Sequence, residues 1–292
     1  MSTLADTNGR THTYHAEAWV LDGHLQLPLE QEIKRQAYAN LNPEGGYLSQ
    51  HAKDYKLEGV ISFRSAYTQV AGNLDVKKDK GWTTLVTSVV EGLNILDVLT
   101  ADRVVGQIST EHPLKGYIPS ISFLGTRFEN LRIAGHPIKL EVDPNILGAR
   151  PEDDTSYTTN AGVAASVSKQ YQRMSEQQPL PADLQEQYDK LKSTLGKSGA
   201  VECSLVNQAS FAHPASPGQP GLCFGHVIKV PGFGTITLAK LNLLYEEIKQ
   251  EGMPDVIKKT TSHLTMIDLK LGCSVAGNGS VAALSTNGSS HP

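Results

Sequence analysis

The chain has 292 residues, with 26 Lys or Arg against 30 Asp or Glu, and a formal net charge of −4. Its longest approach to a basic run is Lys77, Lys78 and Lys80. Because binding to phosphates needs clustered cations, the sequence argues against a nucleic-acid partner. It also lacks the roughly 18 consecutive apolar residues of a membrane-spanning helix. Hydrophobic residues make up 39% of the chain and are spread along it, so we expect one β-rich domain over residues 1–292.

Most of the chain alternates apolar and polar residues. The clearest case is 138–143, where three apolar residues beginning at Ile138 alternate with three charged residues. This period of two is typical of a sheet with one face in water. Further strands are predicted at 82–90, 95–99, 102–109, 118–124, 126–133, 201–212, 224–230, 234–240, 263–271 and 280–285. Many short strands between Gly, Pro and Asn turns predict an all-β fold, a β-sandwich or jelly roll.

Three segments have helical spacing. The longest prediction is 163–195, within a polar insertion at 150–199, where Leu184, Tyr188 and Leu191 recur every three or four residues. Shorter helices are predicted at 29–41 and 240–250. We expect these helices to be insertions between strands, and the last residues, 286–292, to form a frayed tail.

The cysteines do not form a recognisable framework. Cys203, Cys223 and Cys273 are odd in number and far apart, and no C-x-x-C occurs. Three buried free thiols are therefore the favoured interpretation. One disulfide with a spare thiol is the alternative, and it would require export.

Candidate metal ligands are sparse. His12 and His15 face opposite sides if they lie on a strand, although a flexible segment could bring both to one ion. Asp6 and Asn8, like the oxygen-bearing side chains of 143–145, could supply ligands for Ca²⁺, but neither segment matches the twelve-residue calcium loop. We therefore keep these residues as weak metal candidates, with Ca²⁺ as a weak possibility, and leave open whether there is any cofactor.

Candidate catalytic residues are also few. His226 and His263 lie at predicted strand entries and could meet across a sheet, and Asp97 and Asp102 flank a possible turn. Paired carboxylates held across a cleft can cleave glycosidic bonds, but acids beside a hairpin turn are ordinary. A strand-end histidine is more often a capped or solvated side chain than a catalyst. The phosphate-binding, dinucleotide-binding and serine-hydrolase motifs are absent.

One region resembles the choice-of-anchor P family of bacterial proteins. The similarity lies in the strand, Gly-Leu-x-x-Leu turn and Thr-Ala-Asp segment of 87–105, the strand–Gly–strand block of 123–138, Asp143-Pro144-Asn145, and the run 230–238. It covers about half the chain. The resemblance implies an all-β domain that is exported or displayed on the surface, with no catalytic residues to carry over.

These observations leave three functional hypotheses open. The first is a non-enzymatic sandwich protein that self-assembles as a homo-oligomer or binds a protein partner. The second is a small-molecule-binding protein or enzyme, whose pocket lies at one end of the sandwich under the 150–199 insertion and is lined by His226 and His263. The third is a calcium-stabilised module. The first 25 residues contain no apolar block, so we expect no signal peptide. That favours the cytoplasm, whereas the resemblance favours export of a trimmed domain.

Overall fold

The computed structural model describes residues 11–28, 30–57, 59–75, 81–152, 154–176, 178–197, 199–213, 218–249, 256–272 and 275–291. Two antiparallel sheets and two helices account for its regular structure. The all-β sandwich with a helical insertion is therefore confirmed. No described helix is long and apolar enough to cross a membrane.

Sheet A contains both ends of the described chain. Its strands run in the order β14-β15-β16-β17-β18-β1-β2, while β12 also pairs with β16 and β3 with β1. Their bounds are β1 Thr11–Leu27, β2 Gln31–Gln36, β3 Ala39–Asn40, β12 Ala200–Ser204, β14 Leu222–Phe224, β15 Val227–Val230, β16 Gly234–Lys249, β17 Val256–Gly272 and β18 Ala276–His291. Strands β14 to β18 form a meander, and β18 continues the sheet onto β1.

Sheet B is a second meander. Its strands run in the order β13-β11-β10-β7-β6-β5-β4, and β8 and β9 also pair with β7. Their bounds are β4 Gly46–Leu57, β5 Ile61–Asp75, β6 Gly81–Ile95, β7 Leu99–His112, β8 Ser120–Ser122, β9 Arg127–Glu129, β10 Arg132–Ile133, β11 His136–Val142 and β13 Val206–Phe211. The residues that resemble the choice-of-anchor P family at 87–138 lie mainly in this sheet.

The core fills the space between the sheets. Val86 and Ile108 of sheet B and Ile267 and Leu284 of sheet A are completely buried. The sheets approach closely at Gly106, where an added Cβ would lie 2.9 Å from Met266 Cγ and 3.0 Å from Leu284 Cδ2. The predicted alternation of apolar and polar residues therefore arises because one face of each sheet is buried.

Two of the three predicted helices are wrong. Residues 240–249 belong to β16, which pairs with β17 along its whole length and with β12 on its other side. Residues 31–36 and 39–40 form β2 and β3 against β1, and Leu29 lies outside the described residues. In both segments, hydrogen bonding to neighbouring strands overrides a weak helical spacing.

The end of the chain is also more ordered than the sequence suggests. Where we expected fraying from residue 286, β18 continues to His291 and pairs with β1 from Thr286 onward. Small residues such as Gly288 fit there because the two sheets are close together.

The third predicted helical segment is confirmed as a pair of helices. Helix α1 spans Ala161–Met174 and α2 spans Ala182–Thr194. Asn160 caps α1, since its Oδ1 accepts a hydrogen bond from the backbone N of Val163 at 3.1 Å. Helix α1 lies beside β12 of sheet A and β13 of sheet B, and α2 lies beside β15 of sheet A.

Candidate functional site

A cavity of about 80 Å³ separates the helical insertion from sheet A. Helices α1 and α2 form one wall, and β12, β15, β16 and β17 form the floor. On this measure one water molecule needs roughly 10–15 Å³, so the cavity has room for several waters or one small organic molecule.

A left-handed residue in β16 shapes the floor of the cavity. Thr235, Thr237 and Lys240 all line it, although strict alternation would send residue 240 to the opposite face from 235 and 237. Ala239, at φ 45°, lies between the Leu238–Ile267 and Lys240–Thr265 pairs, and the register of β16 against β17 is the same on both sides of it. The left-handed backbone at Ala239 therefore changes the alternation and brings Lys240 onto the cavity side without an inserted residue.

Lys240 joins three strands by ion pairs. Its Nζ lies 3.3 Å from Glu202 Oε2 on β12 and 3.7 Å from Asp268 Oδ2 on β17. All three side chains are partly buried, so solvent screens the ion pairs less than it would on an open surface. Lys240 is therefore shared between two carboxylates, and this partly buried group carries one positive and two negative formal charges.

Helix α1 is held in place by a buried glutamine. Gln170 Nε2 donates to the carbonyl of Ser204 at 2.7 Å, and Gln170 Oε1 accepts from the backbone N of Ser204 at 2.9 Å. The amide thus satisfies both backbone groups of Ser204, where β12 ends. Because Gln170 is only 1% exposed, this contact fixes the distance between the insertion and the sheet.

Two tyrosines connect the helices to each other and to the floor. Tyr171 of α1 donates its hydroxyl to the carbonyl of Glu202, and its ring meets Tyr188 of α2 edge to face at a centroid distance of 4.6 Å. At the start of α2, both carboxylate oxygens of Asp183 lie 2.6 Å from Lys229 Nζ on β15. This ion pair is partly exposed and holds the pKa of Asp183 below its usual value.

His226 enters the cavity from a two-residue hairpin turn. Gly225, at φ 58°, and His226 connect β14 to β15. Glycine is required at 225 because a Cβ there would lie 2.7 Å from Met174 Cγ. His226 is 8% exposed, and burial, with a smaller contribution from Lys240, lowers its pKa to about 4. The imidazole is therefore neutral at physiological pH.

Two polar atoms in this cavity have no hydrogen-bond partner among the described residues. They are His226 Nδ1 and the Tyr188 hydroxyl. Tyr188 is 4% exposed, and burial raises its pKa, so the phenol is also uncharged. An unsatisfied buried polar group costs about 1–3 kcal/mol. The residues that carry these two atoms line the cavity from α2 and from the β14–β15 turn.

A second set of unpartnered polar atoms lies between the sheets. It comprises His112 Nε2 and the hydroxyl oxygens of Thr110, Thr260, Ser262 and Thr286. His12 and His112 pack here at a centroid distance of 4.7 Å, and His12 stacks on Trp82 at 5.0 Å. Burial lowers the pKa of His112 to about 4. These groups do not line the cavity.

Of the predicted catalytic residues, only His226 lines the cavity. His263 lies elsewhere on β17, where its Nε2 is 3.2 Å from Thr265 Oγ1 and its ring packs beside Trp19 at 5.6 Å. The predicted meeting of His226 and His263 in one pocket is therefore wrong.

Asp97 and Asp102 have local structural partners. Asp97 lies in the β6–β7 turn, where Asn94 Nδ2 donates to its Oδ1 at 2.7 Å. Asp102 is exposed on β7 and accepts from Asn130 Nδ2 at 2.6 Å. Neither carboxylate reaches the cavity.

The weak metal candidates are not brought together. His12 packs inward against Trp82, whereas His15 is exposed on the other side of β1. Asp6 and Asn8 lie outside the described residues. Within the described ranges, no three His, Cys, Asp or Glu side chains are grouped as metal ligands.

Two of the three cysteines are buried free thiols, as the sequence predicts. Cys203 and Cys223 are free and buried, and burial raises the pKa of each thiol to about 12. Both are therefore protonated, weak nucleophiles at physiological pH. Cys273 is outside the described residues.

Several cavity residues were missed by sequence reasoning. Tyr188 fits the apolar stripe of α2, so nothing in the pattern marks its hydroxyl as unpaired. Glu202, Lys240 and Asp268 come from three strands, and only the sheet register brings them together. The proline at 181 and the spacing of the insertion were the signals that located α2.

Together, the fold and the cavity define a β-sandwich protein with a helical insertion closing over a polar pocket. The chain belongs to the family described as a domain of unknown function (DUF8256), which matches residues 12–244. This match includes both helices and most of the cavity floor, but not Asp268 on β17. No curated protein and no solved structure matches the chain.

Proposed function

We propose that this protein binds a small molecule in the cavity between its helical insertion and sheet A. The observation that carries the proposal is that two residues lining one cavity, His226 and Tyr188, each have a buried polar atom without a described partner, His226 Nδ1 and the Tyr188 hydroxyl. A ligand that hydrogen-bonds to both would remove two desolvation penalties at once.

The contacts that hold the cavity walls in place indicate a binding site and not a packing defect. Gln170 ties α1 to the end of β12, and Tyr171 connects α1 both to Glu202 and to Tyr188. The Asp183–Lys229 ion pair fixes the start of α2. Such second-layer contacts hold binding groups in position before the ligand arrives, which reduces the entropy cost of binding.

Native mass spectrometry of the purified protein, repeated after denaturation, tests this proposal. We expect extra mass that disappears on denaturation and is depleted in the double variant Tyr188→Phe, His226→Leu. The matched control is Tyr245→Phe with His15→Leu, two changes outside the cavity. A bare subunit mass, or an adduct retained equally by both double variants, would contradict the proposal.

Self-assembly is a second proposal, and one feature of sheet B favours it. Strand β4 has β5 as its only hydrogen-bonded neighbour among the described strands, and Tyr47 on it is 66% exposed. Lys53, Lys56 and the irregular backbone at Asp54, with φ 50°, are features that commonly limit pairing at such edges. We therefore expect a discrete dimer rather than a polymer. A strictly monomeric mass at high concentration in light scattering would contradict it.

The resemblance to the choice-of-anchor P family is a further proposal about location. It is supported by the motifs in 87–145 and 230–238. Detection of the native protein in surface and cytosolic fractions of its host would test it, and a purely cytosolic distribution would contradict it.

A further inference from the structure

We infer that a groove on the outer face of sheet A binds a linear oligosaccharide, which lies across the strands. The groove has a volume of about 630 Å³ and is lined by polar side chains of β2, β1, β18 and β17. It adjoins the cavity under the insertion, with which it shares Asp268 and Lys270. The inference goes beyond the proposed function, because most of this cross-strand groove lies outside the cavity.

A row of paired residues forms the floor of the cross-strand groove. Asp22 on β1 pairs with Ser280 on β18, and Ser280 pairs with Asp268 on β17. Directly paired residues of an antiparallel sheet have their side chains on the same face. The row continues to Thr237 on β16, which lines the cavity. The groove and the cavity therefore share one continuous floor.

A second row runs beside the first, two residues away along each strand. From β2 to β16 it consists of Glu32, His24, Asn278, Lys270 and Thr235. The groove itself covers the four strands from β2 to β17, and Thr235 lies in the cavity. Because neighbouring strands are about 4.8 Å apart, the groove is about 14 Å long at right angles to the strands. This length suits a chain molecule.

Hydrogen-bond donors and acceptors are mixed along the groove. The side chains of Arg35 and Lys270 can only donate, the carboxylates of Asp22 and Asp268 can only accept, and Asn278 between them can do both. A ligand that lies along this floor must therefore offer donors and acceptors over its whole length. Each hydroxyl of a sugar both donates and accepts, so a saccharide can bond to every one of these groups.

The spacing of the floor favours sugar units over amino acids. Neighbouring side chains within a row are separated by one strand spacing, about 4.8 Å. A pyranose unit in a linear chain advances by nearly this distance, whereas an extended peptide advances by about 3.3 Å per residue and loses register with the strands. An oligosaccharide can therefore place one unit over each strand.

Contacts around Trp19 hold one side of the groove in position. The guanidinium of Arg35 lies 4.1 Å from the centroid of the Trp19 ring, and Trp19 Nε1 donates to Ser280 Oγ at 3.3 Å. Ser280 in turn donates to Asp22 Oδ1. Three groups of the groove are thus placed before a ligand arrives, which reduces the entropy cost of binding. Since Trp19 itself does not line the groove, the sugar is held by hydrogen bonds and not by ring stacking.

Titration calorimetry with three linear sugars tests the inference. We would titrate cellohexaose, chitohexaose and hexagalacturonate into the full-length protein, and then shorter chains of any that binds. We expect at least one to bind, with an affinity that rises up to about three or four units and then stays constant, because the groove covers four strands. Asn278→Ala should weaken binding by about fivefold or more. Asn287→Ala is the matched control, because Asn287 lies on the same strand outside the groove.

The outcomes separate the groove from the cavity. Failure of all three hexasaccharides to bind would overturn the inference, and so would binding that Asn278→Ala leaves unchanged. The double variant Tyr188→Phe, His226→Leu should bind the sugar normally. Loss of binding in that variant but not in Asn278→Ala would place the sugar in the cavity, which overturns the groove as its site while supporting the proposed function.

Discussion

Tyr188 and His226 line one cavity from separate elements, and neither the Tyr188 hydroxyl nor His226 Nδ1 is hydrogen-bonded by a described residue. Tyr188 belongs to the helical insertion, and His226 to the turn between two strands. Their positions depend on contacts far apart in sequence: Tyr171 for the first and Gly225 for the second. The site is therefore a product of how the insertion docks, and its parts can be tested separately.

The two neighbouring tyrosines should respond oppositely to loss of the hydroxyl. Tyr171→Phe removes a hydrogen bond to the Glu202 carbonyl and should lower the free energy of unfolding by about 1–2 kcal/mol. Tyr188→Phe removes a hydroxyl without a described partner and should change it by less than about 0.5 kcal/mol in ligand-free protein. Urea unfolding measures both. An equal loss in the two variants would mean that Tyr188 is bonded within the protein.

The left-handed position at Ala239 should tolerate glycine but not valine. Ala239 has φ 45° and is completely buried, so Ala239→Val adds a β-branched side chain to a left-handed backbone in a packed site. We expect it to lose about 2 kcal/mol or more of stability, and to weaken ligand binding by displacing Lys240. Ala239→Gly should retain both properties. Thermal unfolding and native mass spectrometry of the two variants test this, and an Ala239→Val variant that is stable and keeps the bound ligand would show that the backbone at Ala239 does not set the floor.

Two buried histidines should make the protein acid-sensitive. The pKa values of His112 and His226 are about 4 in the folded protein and near 6.5 when unfolded, because burial disfavours the charged ring. The unfolded chain therefore binds more protons between these values. Stability should be complete above pH 6.5 and fall as the pH drops toward 4, by at most roughly 3 kcal/mol per histidine.

Replacing both histidines provides the control. His112→Gln with His226→Gln should flatten the stability profile between pH 6.5 and 5, where most carboxylates are still ionised. The residual slope should come mainly from His263, whose pKa burial also lowers. Exposed His15→Gln should retain the full slope. Urea unfolding at four pH values measures it, and an unchanged slope in the double variant would contradict this assignment.

Replacing Gly288 by alanine, the smallest possible enlargement, should destabilise the protein. A Cβ at this position would lie 2.6 Å from His12 Cε1 and 2.7 Å from His112 Nε2, and the His12 ring is already stacked on Trp82. Gly288→Ala should cost about 1–3 kcal/mol through overpacking. Gly272→Ala is the matched strand control, because its Cβ would meet nothing within 4 Å. Similar melting temperatures for the two variants would show that His12 and His112 can rearrange around the added methyl group at little cost in stability.

The sequence was enough to predict the layered β architecture, because a strand buried on one face shows the alternation of apolar and polar residues seen at 138–143. It was also sufficient to place a helical insertion over part of the sandwich and to single out His226. It failed at 240–250, where Leu241 and Leu243 point inward from a strand while Leu244 and Ile248 are exposed. The apparent helical spacing there mixes residues from both faces of β16.

The binding site itself depended on information that no local pattern carries. Lys240 reaches the cavity because the left-handed backbone at Ala239 changes the alternation of β16, and nothing in the sequence marks this alanine as left-handed. Its partners Glu202 and Asp268 are set by pairing with two other strands. His263 was misassigned for the same reason: its strand was predicted correctly, but not its distance from the insertion.

The most direct test of the ligand-binding claim is a crystal structure of the protein as purified, at a resolution that shows ordered solvent and small ligands. We predict density for an organic molecule in the cavity, with atoms within hydrogen-bonding distance of both His226 Nδ1 and the Tyr188 hydroxyl. A cavity in which these two groups instead bond to protein atoms, leaving no room for a molecule, would contradict the claim.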